Sequence, residues 1–179
     1  NKKMEMENLS AFKSNDIRGE YRKDIDEELV YKIGRALVEF LNCKEIIIGR
    51  DMRNSSLSLA KSIINGIIDS GCNVIEIGLV DSPALYFATG FYNKPGVIIT
   101  ASHNPAKYNG MKIIKPGAIP ISELNGLTKI KGIVQSEKFR DSKKKGRVSK
   151  LNIIKQYREH ILSFIDINKI KKMRVVIDG

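Results

Sequence analysis

Long apolar runs are missing from this chain. No stretch approaches the roughly 18–20 residues that a membrane-spanning helix needs. The opening stretch Asn1–Ser10 is polar and mixed in charge and holds no apolar signal-peptide core. A cytoplasmic location is the expectation that follows. Cysteine is scarce: Cys43 and Cys72 are the only two, and their separation matches neither a zinc-ligand nor a dithiol spacing. They read as ordinary thiols. No internal repeat is visible.

What the chain does have is enough apolar material for a real core, 42% of 179 residues, a length that fits one domain or one domain with a piece of a second. The net charge of +11 invites a nucleic-acid reading. Lysine and isoleucine, however, are spread along the whole chain. Only Lys143-Lys144-Lys145, with Arg147 and Lys150 beyond, forms a dense cluster, and it sits in a polar stretch (Ser136–Ser149) that reads as a linker or solvated loop. No aromatic residue is interleaved with that cluster, so the stacking platform of a single-strand binder is missing.

Two periodicities alternate along the chain. Glu27–Leu41 places Leu29, Ile33, Leu37 and Leu41 on one helical face, with Asp26 as N-cap. Glu45–Gly49 reads as a strand, Ser56–Ser70 as a helix stopped by Gly71, and Val74–Val80 as a strand. Ser82-Pro83 opens a helix to about Tyr92, with Ser82 as cap. Gly96–Thr100 and Met111–Lys115 are strands, and Ser122–Val134 is a helix capped by Ser122. This alternation predicts an α/β domain of helix/sheet/helix layers around a mixed, mostly parallel sheet. After the basic stretch, Leu151–Ile165 reads as a helix and Met173–Ile177 as a strand ending in Asp178-Gly179. A strand of that kind normally opens a unit. The expectation is a first domain over residues 1–150 and the beginning of a second, similar and truncated, over 151–179.

Chemistry concentrates in Thr100-Ala101-Ser102-His103-Asn104-Pro105, which follows the apolar run Val97-Ile98-Ile99. Open α/β sheets place their sites at such strand ends. Acyl transfer fits poorly, because neighbouring side chains on one loop rarely meet as nucleophile and base, and the glycines of a nucleophile elbow are missing. A plain polar turn is the competing reading. Against it stand Ser102, His103, Asn104, Tyr108, Asn109 and Lys112, close together in sequence, with Gly110 among them. Clustered donors around one hydroxyl suit phosphoryl transfer, whose catalysis is mostly positioning and charge stabilisation. Arg18, in Asn15-Asp16-Ile17-Arg18-Gly19 on a turn between structured segments, adds a group suited to phosphate.

These segments resemble the first domain of the α-D-phosphohexomutases, and within them the bacterial phosphomannomutase/phosphoglucomutase branch. Phe12-Lys13-Ser14-Asn15-Asp16-Ile17-Arg18-Gly19 is similar to that branch's "F-(R/K)-x-Y-D-I-R-G", and Gly49-Arg50-Asp51-Met52-Arg53 to its "G-R-D-x-R". The serine loop, Tyr108–Lys112, Leu85–Thr89 and Pro116–Ser122 fit as well. The resemblance spans roughly residues 11 to 179. It implies a reversible phosphotransferase (an isomerase) acting on hexose phosphates of mannose and/or glucose, moving phosphate between O6 and O1 through a sugar bisphosphate. Ser102 would carry the phosphoryl group, and His103 would orient it. Lys112 and Arg18 would contact phosphoryl oxygens, and Asn104, Asn109 and Asn15 would contact substrate or phosphate. The family's Mg²⁺ would take one ligand from phosphorylated Ser102, and glucose 1,6-bisphosphate or a similar compound would act as activator.

Two departures stand out. Asn15 occupies the place where the branch usually has Tyr, and Ser122-Glu123-Leu124-Asn125-Gly126 replaces a common "S-G-D-T-G". The family's metal aspartates, sugar-reading loop and phosphate-binding domain do not occur in this sequence, so the chain alone is expected to be inactive. The rival readings are a phosphoglucosamine mutase, whose opening usually reads "F-G-T-x-G-I-R-G", and a non-catalytic phosphate- or nucleic-acid-binding module.

Overall fold

The computed structural model describes residues 9–139 and 141–178. Residues 1–8 of the polar opening stretch, Arg140 in the basic stretch and the terminal Gly179 lie outside the described residues. In chain order the elements are β1 (Ile17–Glu20), α1 (Glu27–Leu41), β2 (Glu45–Arg50), α2 (Ser56–Asp69), β3 (Asn73–Leu79), α3 (Ser82–Phe91), β4 (Gly96–Ile99), β5 (Tyr108–Lys115), β6 (Ile119–Pro120), α4 (Thr128–Ser136), β7 (Val148–Lys150) and α5 (Ile154–Leu162). The strands form one sheet in the order β1-β5-β4-β2-β3-β7, with β6 on β5. β2, β3, β4 and β7 pair in parallel, while β5 pairs antiparallel with β1, β4 and β6. Only β5 therefore runs against the rest, and the sheet is α/β, mixed and mostly parallel.

Strand side chains alternate between the two faces of a sheet, and here each face has its own core. Ile46, Ile48, Val74, Val97, Ile99, Met111 and Ile113 pack under α1, α2 and α4. Ile47, Ile77, Ile98 and Ile114 pack under α3 with Ile153, and Tyr157 of α5 lies against them. Unbroken apolar runs such as Ile46-Ile47-Ile48 are what a strand covered on both faces requires.

Local signals explain most element ends. The Asp26 carboxylate accepts from the Leu29 amide at 2.8 Å and starts α1, and Asn42 ends it in a left-handed conformation. The cap of α3 is Asp81 rather than Ser82: its Oδ1 accepts from the Ala84 amide at 2.9 Å, so Ser82 already lies inside the helix. The expected continuous helix over Ser122–Val134 is split into a π-helical turn, Glu123–Leu127, and α4. The break falls at Gly126, where an added Cβ would lie 2.6 Å from the Phe40 ring. Close approach to α1 takes precedence there over helical continuity.

The C-terminal third departs most from the sequence reading. The Ser136–Ser149 stretch does not remain a free linker. Lys145 pairs with Asp69 at 2.6 Å, the Gly146 amide donates to Ile68, and β7 extends the sheet beside β3. The helix expected over Leu151–Ile165 is confined to Ile154–Leu162. Met173–Ile177 forms no strand and is exposed, because no described segment offers it a hydrogen-bonding neighbour. Among the described residues no helix is long and apolar enough to cross a membrane.

The helices α1 and α2 cross through glycines. An added Cβ on Gly66 would lie 2.2 Å from the Tyr31 carbonyl, and one on Gly34 would lie 2.5 Å from that of Ile63. Gly132 of α4 faces open space. The same change should therefore act with opposite signs. Gly66→Ala is expected to lower stability in urea denaturation by about 1–3 kcal/mol through overpacking. Gly132→Ala should raise it by up to about 1 kcal/mol through helix propensity.

Candidate active site

The serine turn joins β4 to the reversed strand β5 at the C-terminal edge of the parallel strands. Ser102 is exposed and has φ 53°, in the left-handed region that a side chain with a Cβ rarely adopts. Its amide donates to Thr100 Oγ1 at 2.9 Å, and the Asn104 amide and side chain both donate to the Ala101 carbonyl. Such a conformation persists only where its surroundings over-determine it.

The surroundings are supplied by Arg53, a residue whose role the sequence did not disclose. Its Nη1 donates to the carbonyls of Pro105 (2.9 Å) and Tyr108 (3.0 Å), and its Nη2 to those of Ser102 (2.8 Å) and Asn104 (2.5 Å). Nε faces Asp51 Oδ2 at 3.3 Å. A guanidinium has five N–H donors, and here four are hydrogen-bonded to carbonyls while the fifth nitrogen position lies against a carboxylate. Asp51 is fixed in turn by the Arg53 amide and the Ser56 hydroxyl. The one signal available beforehand was the Gly49–Arg53 segment, which names the arginine but not the carbonyls it meets.

Asp51, Arg53, Asp81, Thr100, Ser102 and Asn104 line an open groove of about 660 Å³ with Ile98 at its base. They come from loops after β2, β3 and β4, the edge where open α/β sheets hold ligands. The volume falls within the roughly 300–1,000 Å³ typical of small-molecule sites. Asp81, the helix cap, is a groove residue that the sequence reading missed. Burial pushes the Tyr157 hydroxyl of α5 above its ordinary value, and the negative charge of Asp81 adds to the effect.

Arg18 and Lys112 are brought together. Arg18 is not on a turn but in β1, opposite Gly110 of β5, and an added Cβ on Gly110 would lie 2.2 Å from the Ile17 carbonyl. Only glycine permits that approach. Arg18 Nη2 lies 2.9 Å and Lys112 Nζ 3.6 Å from the same oxygen of Asp16, a carboxylate with a side chain 9% exposed. The bridge holds two like charges side by side and leaves the trio with a surplus positive charge. Lys112 is the cross-strand partner of Ile98 and so shares its face of the sheet, while none of the trio is among the groove residues.

The remaining candidates divide. Asn104 lines the groove. His103 is exposed beside Ser102, with no hydrogen bond among the described residues. Asn109 is fully buried: its amide donates to Ser55 Oγ at 2.7 Å and Ser56 Oγ at 3.0 Å, and its Oδ1 accepts from the Gly110 amide. It braces β5 against the start of α2 from beneath the site. Asn15 is exposed at the tip of a turn closed by a Phe12–Ile17 bridge and is not among the groove residues.

The layers and the strand order define an α/β/α domain with its polar groove at the strand ends. Residues 9–141 match the family described as phosphoglucomutase/phosphomannomutase, alpha/beta/alpha domain I, and the chain belongs to that family. It is similar to a phosphomannomutase of Vibrio cholerae, 39% identical over 97% of this chain, and to one of Escherichia coli K12, 36% identical over 97%. It spans about two fifths (39%) of the length of each. Among solved structures, a phosphoglucomutase/phosphomannomutase family protein of Burkholderia thailandensis superposes with a TM-score of 0.80 at 27% identity. That match covers 90% of this chain and 37% of the other.

Arg53→Ala should destabilise the domain by about 2–4 kcal/mol, since several carbonyls lose a charged donor at once. Amide hydrogen exchange at residues 102–108 should rise more than elsewhere. Arg53→Lys should recover only part of both, because an ammonium cannot reproduce the planar fork. Wild-type exchange rates in the turn of Arg53→Ala would show that the fork does not hold it.

Proposed function

We propose that this chain is the first domain of a phosphohexomutase that interconverts hexose 6-phosphate and hexose 1-phosphate, with mannose and/or glucose as the sugar, and that Ser102 is its phosphoryl carrier. The observation that supports this best is the Ser102 turn itself. A hydroxyl is held out over a groove by the Arg53 fork, on the sheet that also carries the paired cations of Arg18 and Lys112. In this reading phosphorylated Ser102 passes its phosphoryl group to O1 of hexose 6-phosphate, leaving a free serine hydroxyl and a sugar bisphosphate. The bisphosphate reorients, its O6 phosphoryl group returns to Ser102, and hexose 1-phosphate departs.

Arg18 and Lys112 stabilise the charge on the equatorial oxygens, the main electrostatic requirement of phosphoryl transfer. His103 and Asn104 orient the group from the turn. Asn109 serves by bracing the turn, and Asn15 contacts substrate from the β1 side. Mg²⁺ at the phosphoserine would neutralise phosphoryl charge, with a Ser102 phosphoryl oxygen as the ligand from this chain. Among the described residues no group of three or more His, Cys, Asp or Glu side chains could hold a metal ion, so these residues do not build a Mg²⁺ site by themselves. Residues 151–179 open a second domain in this reading. The exposure of Phe164, Met173, Val176 and Ile177 supports it, as does the greater length of the relatives.

Incubation of the full-length protein with radiolabelled glucose 1,6-bisphosphate and Mg²⁺ is expected to place label on Ser102, with none on Ser102→Ala. Label elsewhere, or its persistence in that variant, would refute the carrier assignment. The 179-residue chain alone should show no turnover of hexose phosphate in a coupled assay, and measurable turnover would refute the division of the site between domains.

A further inference from the structure

At the edge of the sheet opposite the serine groove, the turns that lead into β2 and β3 run side by side. Cys43 follows the left-handed cap Asn42, and Cys72 follows the left-handed Gly71. The strands they enter are in parallel register, Glu45 against Asn73, and the Asn73 amide donates to the Lys44 carbonyl at 2.9 Å. Continued outward, that ladder sets Cys72 beside Lys44 and leaves Cys43 one residue further along. With a strand spacing of about 4.8 Å and a rise of about 3.3 Å per residue, the two Cα atoms fall about 6 Å apart. Disulfides span roughly 4.4–6.8 Å between Cα atoms.

A regular ladder with that offset would turn the two side chains to opposite faces, but Cys43 precedes the start of β2 and packs against the same core as Cys72. The Cys72 thiol donates to the Asn73 carbonyl at 3.5 Å. Both line a cavity of about 150 Å³ together with Arg35, Glu39, Asn42 and Ser70. Cys72 is buried in the core at 1% exposure, while Cys43 is half-buried and so the sulfur a reagent reaches first. Their chemistry is unequal as well. The neighbouring Cys72 thiol favours the Cys43 thiolate and holds its pKa below the usual thiol value. The Cys43 thiol beside it, together with burial, pushes Cys72 above the usual value.

We propose that Cys43 and Cys72 are a reversible disulfide site that exchanges with small disulfides of the glutathione type. The Cys43 thiolate attacks one sulfur of the glutathione disulfide, whose S–S bond breaks, and one glutathione leaves as thiolate. Cys72 releases its proton to solvent and attacks the Cys43 sulfur of the mixed disulfide, expelling the second glutathione. Two protein thiols are oxidised and one disulfide is reduced to two thiols. The bond ties the end of α1 to the end of α2 without touching the Ser102 groove, so its formation is independent of the function proposed above.

The test is to expose the intact, folded protein to oxidised glutathione, quench with acid, alkylate the remaining thiols and map peptides by mass. A peptide pair joined through Cys43 and Cys72, removed by dithiothreitol, is expected. The ratio of that pair to the Cys43–glutathione adduct should be at least about tenfold higher in the folded protein than in urea, because the fold holds the thiols in place. Cys72→Ser should retain glutathione on Cys43, and Cys43→Ser should yield neither adduct nor link. The proposal is overturned if the folded protein forms no joined peptide, or if the ratio is the same in urea. The urea comparison uses the unaltered sequence, so it holds even if a serine variant fails to fold.

Discussion

The guanidinium of Arg53 is the interaction on which the site depends. A turn that leaves a buried strand and doubles back carries carbonyl groups that cannot reach one another, and one planar group with fixed donors satisfies four of them at once. The same contact explains how a serine can rest in the left-handed region. Asp51 orients the guanidinium, and the Ser56 hydroxyl orients Asp51, so the turn after β4 is anchored to the start of α2. Asn109 closes the network from below by tying β5 to the same helix start. The result is a hydroxyl presented to solvent on a rigid base, as the phosphoryl carrier proposed for Ser102 requires.

The sheet decides what can stand beside that hydroxyl. Parallel strands deliver the loops after β2, β3 and β4 to one edge, where the groove forms. The single reversed strand sets a pair of cations on the sheet face that Ile98 shares. Because β5 runs antiparallel between β4 and β1, Lys112 and Arg18 come onto neighbouring strands and share Asp16. That carboxylate offsets the repulsion of two cations and limits their swing, so their charge is aimed before any ligand arrives. The antiparallel pairs thus build the cation pair on which the proposed function draws.

Both edges of the sheet carry chemistry of different kinds. The strand ends facing the groove collect oxygen and nitrogen groups, while the strand starts collect the two thiols beside Arg35, Glu39 and Asn42. Domain I of the phosphoglucomutase/phosphomannomutase family accounts for residues 9–141, yet the sheet continues past that limit. β7 adds a strand beside β3, and Ile153 fills the core under α3. Beyond α5 the chain shows apolar side chains to solvent, Val176 and Ile177 among them.

Much of the fold was legible in the residues because it depends on local periodicity. The bounds of α1 follow from a helical apolar stripe and an aspartate cap, and Ile46–Ile48 reads as a strand on sight. The serine turn was legible for the same reason, since a polar motif follows a buried run. Elements that depend on a distant neighbour were not. Val148–Lys150 becomes a strand only because β3 has a free side, and Met173–Ile177 fails to become one because no described segment pairs with it. Asn109 was legible as a polar residue near the turn, but its burial and its bonds to Ser55 and Ser56 were not. By itself the sequence determined the alternation of elements, the position of Ser102 at a strand end and the kinship of the motifs. Only the tertiary structure decided that Arg53 reaches four carbonyls far along the chain, that Asp16 joins Arg18 to Lys112, and that Cys43 meets Cys72. Hydrogen bonds and ion pairs are set by distance in space, and sequence spacing carries no record of it.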